Sequence, residues 1–232
     1  MTQTPLLFID GMNSFIKFYV ANETMNANGE LYGGAVGFLN QIRFLVKTFR
    51  PSKVVVVWEQ GGGSPRRKKI FPEYKANRTK AKDFNGLYQN TSQALLADTE
   101  NKVRQLQFLT KALGSLPVCQ VYVPECEGDD VLAYLVKRKF ATDPATKIVV
   151  SNDKDFYQLL DDCGVKIYNH SKKVLVTGPD VLANPDFGIA PRNFALAKAI
   201  AGDISDNIPG VPGVKFKTIA KRFPALADTT KD

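Results

Sequence analysis

Four short apolar runs each give way within a few residues to carboxylates, and the apolar spacing between the runs is helical. Leu6-Leu7-Phe8-Ile9 runs into Asp10, and Val54 to Trp58 into Glu59. Val121-Tyr122-Val123 is followed by Glu127, Asp129 and Asp130, and Ile148-Val149-Val150 by Asp153 and Asp155. Runs this short and this apolar predict strands buried on both faces: Leu6 to Ile9, Val54 to Trp58, Cys119 to Val123 and Ile148 to Val150. Gly34 to Phe49, Thr91 to Leu113 and Asp129 to Phe140 carry helical patterns between them. This alternation is a βαβ pattern, so the expected fold class is α/β, a mostly parallel central sheet flanked by helices. In such sheets ligands bind beyond the carboxyl ends of the strands, where these acids fall.

If the strands lie side by side, the acids converge. Two carboxylates ~4 Å apart repel by about 4 kcal/mol at an effective dielectric near 20, so an ionised cluster calls for cations between its members. Taken singly, each acid has a plainer reading. Asp10 could cap the helix that starts near Asn13, and Glu127, Asp129 and Asp130 could favour a helix N-terminus. Glu127 and Asp130, spaced i, i+3, share a helical face, with Asp129 beside it. Repetition at separate strand ends favours one shared site, which Asp203 and Asp206 join from Gly202-Asp203-Ile204-Ser205-Asp206. An all-oxygen set of this kind suits Mg²⁺, with Mn²⁺ able to substitute.

The formal net charge is nevertheless +8, from 31 Lys and Arg against 23 acids. Outside the clustered acids the chain is strongly basic, as expected of a protein that binds a polyanion. Much of that charge lies in the long segment Gly61 to Asn90, with Arg66, Arg67, Lys68, Lys69, Lys75, Arg78, Lys80 and Lys82. Such a segment could cover a phosphodiester chain, its cations on phosphates and Phe71, Tyr74, Phe84 or Tyr88 offering stacking faces. Val165 to Tyr168 and Val174 to Thr177 predict an antiparallel hairpin at the sheet margin, Pro191 to Ala201 a helix, and Lys217 to Arg222 another. The glycines of the turn between those helices, through Gly210 and Gly213, would let backbone approach a phosphate.

The only histidine, His170, falls at the expected hairpin tip, a solvated position that argues against Ser-His-Asp chemistry and His-based zinc sites. Cys119, Cys126 and Cys163 form no CxxC pair and are expected as reduced, apolar packing groups in a cytoplasmic protein. Neither a secretory signal nor a membrane-length apolar run is present.

In combination, Leu7-Phe8-Ile9-Asp10-Gly11 with Asn13, Phe71-Pro72-Glu73-Tyr74-Lys75-Ala76-Asn77-Arg78, Glu127-Gly128-Asp129-Asp130, Ser151-Asn152-Asp153-Lys154-Asp155 with Gln158-Leu159-Leu160, and Gly202-Asp203 through Val214 are a recognisable set. With them the chain resembles the flap endonuclease / 5′-3′ exonuclease family, which includes bacteriophage enzymes and the N-terminal nuclease domain of bacterial DNA polymerase I. The resemblance implies a PIN-like α/β nuclease core over residues 1–180 with a helical arch at 61–90. It implies a helical, helix-hairpin-helix-like duplex-binding region at 181–232, with a potassium ion on the carbonyls of Val211 and Val214.

It also implies a monomeric Mg²⁺-dependent 5′ nuclease of replication and repair, acting on DNA with a 5′ end or 5′ flap and on RNA-DNA hybrids. One metal would sit at Asp10, Glu59, Glu127 and Asp129, and a second at Asp153, Asp155 and Asp206, with Asp130 and Asp203 supporting through water. Glu59 stands where the family has Asp, one methylene longer in reach. Lys75 and Arg78 would neutralise charge on the scissile phosphate. Arg66, Arg67, Lys68, Lys69, Tyr74, Lys80, Lys82, Gly210, Gly213, Lys215 and Lys217 would contact DNA. The alternatives are a non-catalytic junction-binding homologue and a PIN-like ribonuclease.

Overall fold

The computed structural model describes residues 4–59, 65–77, 92–161 and 164–229. The expected strands form as β1 (Leu6–Asp10), β2 (Lys53–Trp58), β3 (Val118–Tyr122) and β4 (Lys147–Val150), followed by β5 (Val165–Asn169) and β6 (Val174–Val176). They make one six-stranded sheet in the order β3-β2-β1-β4-β5-β6, with only β6 antiparallel to its neighbour. Register pairs Asp10 with Val57 and Ile9 with Val150, so β1, β2 and β4 end level with one another.

Side-chain alternation along these strands creates two cores. Leu6, Phe8, Val55, Val57 and Val149 face one side, where they meet α5 (Gly128–Tyr134) through Val131 and Leu132 and α7 (Phe194–Ala201) through Phe194. Leu7, Ile9, Val54, Val56 and Val150 face the other side. There they meet Phe15 and Tyr19 of α1 (Gly11–Ala21), Phe38 and Leu45 of α2 (Gly33–Phe49), and Leu109 and Leu113 of α4 (Ser92–Gly114). Helices on both faces explain why the strands read as continuous apolar runs.

No connection separates β1 from α1. Asp10 is at once the last strand residue and the helix N-cap, its Oδ1 accepting from Asn13 N at 3.0 Å. A Cβ on Gly11 would fall 2.6 Å from the Trp58 ring and 2.7 Å from Val57 O. Only glycine lets α1 start this close to the end of β2, which brings Asp10 and Glu59 together.

Three expectations change. β3 is an edge strand rather than a buried one, with Tyr122 and Cys119 exposed because no described strand lies beyond it. The helix expected through Phe140 is α5 followed by a π-turn at Leu135–Lys139, whose extra residue lets Phe140 pack edge-on against Phe8 at 5.4 Å. His170 lies in the β5–β6 turn but is buried at 5% exposure, because α1 packs over it. α3 (Pro65–Ile70) forms within the segment expected as a helical arch, and one short helix was not expected from the sequence: α6 (Gly178–Ala183), opened by Asp180 accepting from Thr177 N at 2.8 Å. Past α7 the chain turns into α8 (Phe216–Arg222), which packs on α7 through Ala197 and Ile219. No described helix is long and apolar enough to cross a membrane.

Candidate metal centre

The chain leaves β1 toward β2 on one side and returns to β4 on the other, so a topological switch point opens between β1 and β4. Asp10 and Asp153 flank it. Ser151, fully buried between them, donates its hydroxyl to Asp10 Oδ2 at 3.1 Å and accepts from Asp153 N at 3.1 Å. Glu59 Oε2 accepts from Gly128 N at 2.9 Å, tying the end of β2 to the start of α5 and setting the position of Asp129. Burial pushes Asp10 up to about 7, with Glu59 and Asp153 adding repulsion that its bonds from Asn13 N and Ser151 only partly offset. Asp129 is pushed up to about 8, first by burial and then by Asp10, Asp153 and Glu59, with Lys75 a partial counterweight. Asp10, Glu59, Asp129 and Asp153 are therefore one electrostatic group.

A second group lies beside it. Carboxylate oxygens of Asp155, Asp203 and Asp206 lie within 4.8 Å of one another. Lys198, projecting from α7, bonds Asp155 and lies 2.6 Å from Asp203. Burial and Asp153 raise Asp155 in spite of Lys198, whereas for Asp203 the bonds from Lys198 and Ser205 outweigh burial and lower it. The loop that presents Asp203 and Asp206 is closed by Asp203 N to Ile208 O and Ile208 N to Asp203 O, both 2.8 Å. At its neck a Cβ on Gly202 would lie 2.3 Å from Gly210 N, and one on Gly210 would lie 2.2 Å from Ala201 O. The packing requirement at Gly210 is thus backbone against backbone within the loop.

The basic segment docks onto both groups. Lys75 Nζ reaches Glu127 Oε1 at 3.0 Å while its own N–H donates to Asp206 O at 2.9 Å. Its φ of 58° is a left-handed conformation. Docking on both sides holds it, with Asn77 donating to Ile204 O at 2.6 Å and Asn207 to Glu73 O at 2.9 Å. Arg67 in α3 bonds Glu127, and Asp130 at 2.9 Å. Burial would lower the Arg67 guanidinium, but Glu127 and Asp130 raise it.

Tyr74 is a correction. Expected as a stacking face, it is 5% exposed, and its hydroxyl lies 3.1 Å from both Glu127 and Asp206, so its ring is inside the wall rather than on it. Burial, Asp206 and Glu127 hold that phenol well above its usual range, so it stays protonated and donates.

The expected partition of acids is regrouped as well. Asp153 is coupled to Asp10 and Asp129, Asp203 is among the three close oxygens, and Glu127 is engaged by Arg67, Tyr74 and Lys75. Asp130, half exposed, turns outward onto Arg67. Arg66, Lys68, Lys69, Lys215 and Lys217 are exposed, and Gly213, with φ 75°, has open space around its Cβ position. Val211 N donates to Ile200 O at 2.9 Å, and Val211 O accepts from Val214 N at 3.1 Å. Arg78, Lys80 and Lys82 lie outside the described residues. Sequence reasoning missed Lys198 and Ser151. Lys198 carries no signal that separates it from the other lysines, while Ser151 sits directly between a strand and Asp153, where a small hydroxyl is a recognisable brace.

These acids fit a hard divalent cation: the donors are all oxygen, and Asp10 and Asp129 are raised toward neutral pH first by burial and then by repulsion from neighbouring carboxylates, both of which a bound cation would offset. A cleft of about 790 Å³ opens over them, walled by Asn13, Lys75, Asp129, Asp153, Lys198 and Lys215 among others.

A family described as "5'-3' exonuclease, N-terminal resolvase-like domain" matches residues 5–184. A 5'-3' exonuclease of Buchnera aphidicola (Schizaphis graminum strain) is 31% identical over 227 residues, covering 94% of this chain and 70% of that protein. DNA polymerase I of Pseudomonas aeruginosa is 31% identical over 221 residues, 94% of this chain but 22% of the polymerase. Among solved structures, bacteriophage T5 5'-exonuclease with bound zinc superposes with a TM-score of 0.76 at 24% identity, covering 94% of this chain and 75% of that one. The T5 D15 flap endonuclease in a pseudo-enzyme-product complex with DNA and metal ions gives 0.73 at the same identity and coverage. At that identity the likeness is one of fold.

Proposed function

The chain belongs to the flap endonuclease / 5'-3' exonuclease family, and from that premise we propose that it is a divalent-metal-dependent, structure-selective 5′ nuclease. It hydrolyses phosphodiesters of DNA at a 5′ end or 5′ flap, and of RNA-DNA hybrids, leaving 5′-phosphate and 3′-hydroxyl ends. The observation that carries the reading is the pair of carboxylate groups at the switch point, one of them desolvated with its repulsion only partly offset by Lys75, under a basic wall. Asp10, Glu59, Asp129 and Asp153 hold one Mg²⁺ or Mn²⁺, and Asp155, Asp203 and Asp206 the second. Bound there, the ions supply activation of the attacking water and charge relief for the leaving 3′ oxygen.

Lys75 does the complementary work. Its ammonium, held on Glu127 beside the acids, is available to the scissile phosphate as negative charge builds there, a benefit greatest in the transition state. Tyr74, Arg67 and Ser151 keep the acids in place. Of the segment expected as an arch, residues 65–77 stand beside the acids as the basic wall that faces the 5′ strand, and the rest of 61–90, Arg78, Phe84 and Tyr88 included, lies outside the described residues. Region 181–232, as a helix-hairpin-helix-like element with Gly213, Lys215 and Lys217 at its turn, grips the duplex backbone, with a potassium ion at Val211 and Val214.

The test is cleavage-site mapping on an end-labelled 5′-flap DNA with Mg²⁺ and with chelator. Cuts near the flap base that need Mg²⁺ and leave 5′-phosphate are expected. Binding without cutting would replace the reading with a junction-binding protein, and cutting confined to RNA with a ribonuclease.

A further inference from the structure

The turn between β5 and β6 is wired into the wall of the cleft. Lys17 Nζ lies 3.2 Å from His170 Nδ1 and donates to His170 O at 3.0 Å, and His170 Nε2 lies 3.1 Å from Asn13 Oδ1. Next to it, Ser171 N donates to Asn152 Oδ1 at 3.1 Å and Asn152 Nδ2 to Ser171 Oγ at 2.9 Å. The same turn therefore holds Asn13, next to Asp10, and Asn152, next to Asp153.

Donor and acceptor counting fixes the chemistry. An ammonium can only donate, so His170 Nδ1 must accept, which leaves the proton of the neutral ring on Nε2. Nε2–H then needs an acceptor, and the Asn13 atom facing it is the carbonyl Oδ1. Asn152 N–H, also a donor only, approaches the same Oδ1 at 3.4 Å. Two donors on Oδ1 assign the Asn13 amide, and its Nδ2 is left with no hydrogen-bond partner among the described residues, on a side chain that lines the cleft. Burial, with Lys17 adding, pushes His170 down to about 4, which keeps the ring neutral.

We propose that Asn13 donates its Nδ2–H to a phosphate oxygen of the nucleic acid in the cleft, and that His170 and Lys17 are positioning residues that lock the amide in the orientation able to do so. The proposal rests on the nuclease reading above. A phosphate is the chemistry that fits, because Nδ2 has no acceptor among the described residues, faces a cleft whose wall carries Lys75, Lys198 and Lys215, and can be satisfied by an oxygen that the ligand brings. A flipped amide would present Oδ1 to that anion and repel it.

The chain's single histidine makes the lock directly observable. In protein with ¹⁵N-labelled histidine, the Nε2–H tautomer is expected at pH 6.5; an Nδ1–H tautomer or a charged ring would overturn the lock. Affinity for a fluorescent 5′-flap DNA in chelator reads the contact without cleavage. Asn13→Ala and His170→Ala should each bind about tenfold more weakly, the scale of one hydrogen bond to a charged group. The double variant should bind no more weakly than Asn13→Ala, and His170→Gln, which retains a donor near Nε2, should recover most of the affinity. Unchanged affinity in Asn13→Ala, or additive losses in the double variant, would overturn the proposal. If a thermal melt shows His170→Ala unfolded, Asn13→Ala and His170→Gln carry the test. Failure of the wild type to bind flap DNA would instead overturn the nuclease reading, with the tautomer still judging the lock alone.

Discussion

Asp10, Glu59, Asp129 and Asp153 share a buried site where Lys75 offsets only part of their repulsion, whereas Asp155, Asp203 and Asp206 gather around a lysine built into the fold. Both groups are made of carboxylates at one edge of the molecule. The first raises Asp10 and Asp129 toward neutrality, while in the second Asp203 is lowered by Lys198 and Ser205. The difference lies in what α7 brings. Its one lysine supplies a resident countercharge to the second group, and no described helix does so for the first. The first group therefore depends on ions from solution, and an ion entering the second must displace Lys198. On this account the first site fills at lower metal concentration than the second.

The largest effect expected is from Asp153→Asn combined with Asp155→Asn, which removes one acid from each group: cleavage of flap DNA should vanish while binding persists in a gel shift. Wild-type turnover in that variant would break the assignment of both groups. Next is Lys75→Ala, which should slow single-turnover cleavage by roughly 10²-fold with a far smaller change in affinity. An unchanged single-turnover rate would remove Lys75 from the chemistry.

The third prediction concerns metal-free stability. Asp10 and Asp129 have folded-state pKa values raised from 3.8 to about 7 and about 8. In that window the folded state binds more protons than the unfolded, so stability falls as pH rises. From pH 6.5 to 8.5 the loss should be about 2 kcal/mol in chelator, a small part of it offset by His170, which in the unfolded chain still binds protons near pH 6.5, and it should shrink in Mn²⁺. A pH-independent melt would contradict a first group whose burial and repulsion are only partly offset by Lys75. The smallest effect is from Lys198→Gln, which should tighten Mn²⁺ binding at the second group about threefold to fivefold, the scale of a partly exposed ion pair. No change there would remove Lys198 as the source of the contrast.

Much of this was legible in the sequence. The period and length of the apolar runs set the strands, and because those runs end level, the acids that follow them had to meet. What was not legible depended on residues from distant elements. Lys198 reaches the acids only because α7 packs beside the 3₁₀ turn at Lys154–Leu159 that carries Asp155. Tyr74 reads as an exposed aromatic in a basic loop, and its burial arises from the Asp203–Asn207 loop folding against it. His170 looks like a turn residue, and it is one. Its burial comes from α1, more than a hundred residues earlier in the chain.

The most direct test of the account is a calorimetric titration of Mn²⁺ into metal-free protein at pH 7 in buffers of different ionisation enthalpy. Displacement of protons from Asp10 and Asp129 predicts net proton release with the first ion bound, absent at pH 9.5 and reduced in Asp10→Asn. Binding of the first ion with no proton release at pH 7, or with the same affinity in Asp10→Asn, would contradict it.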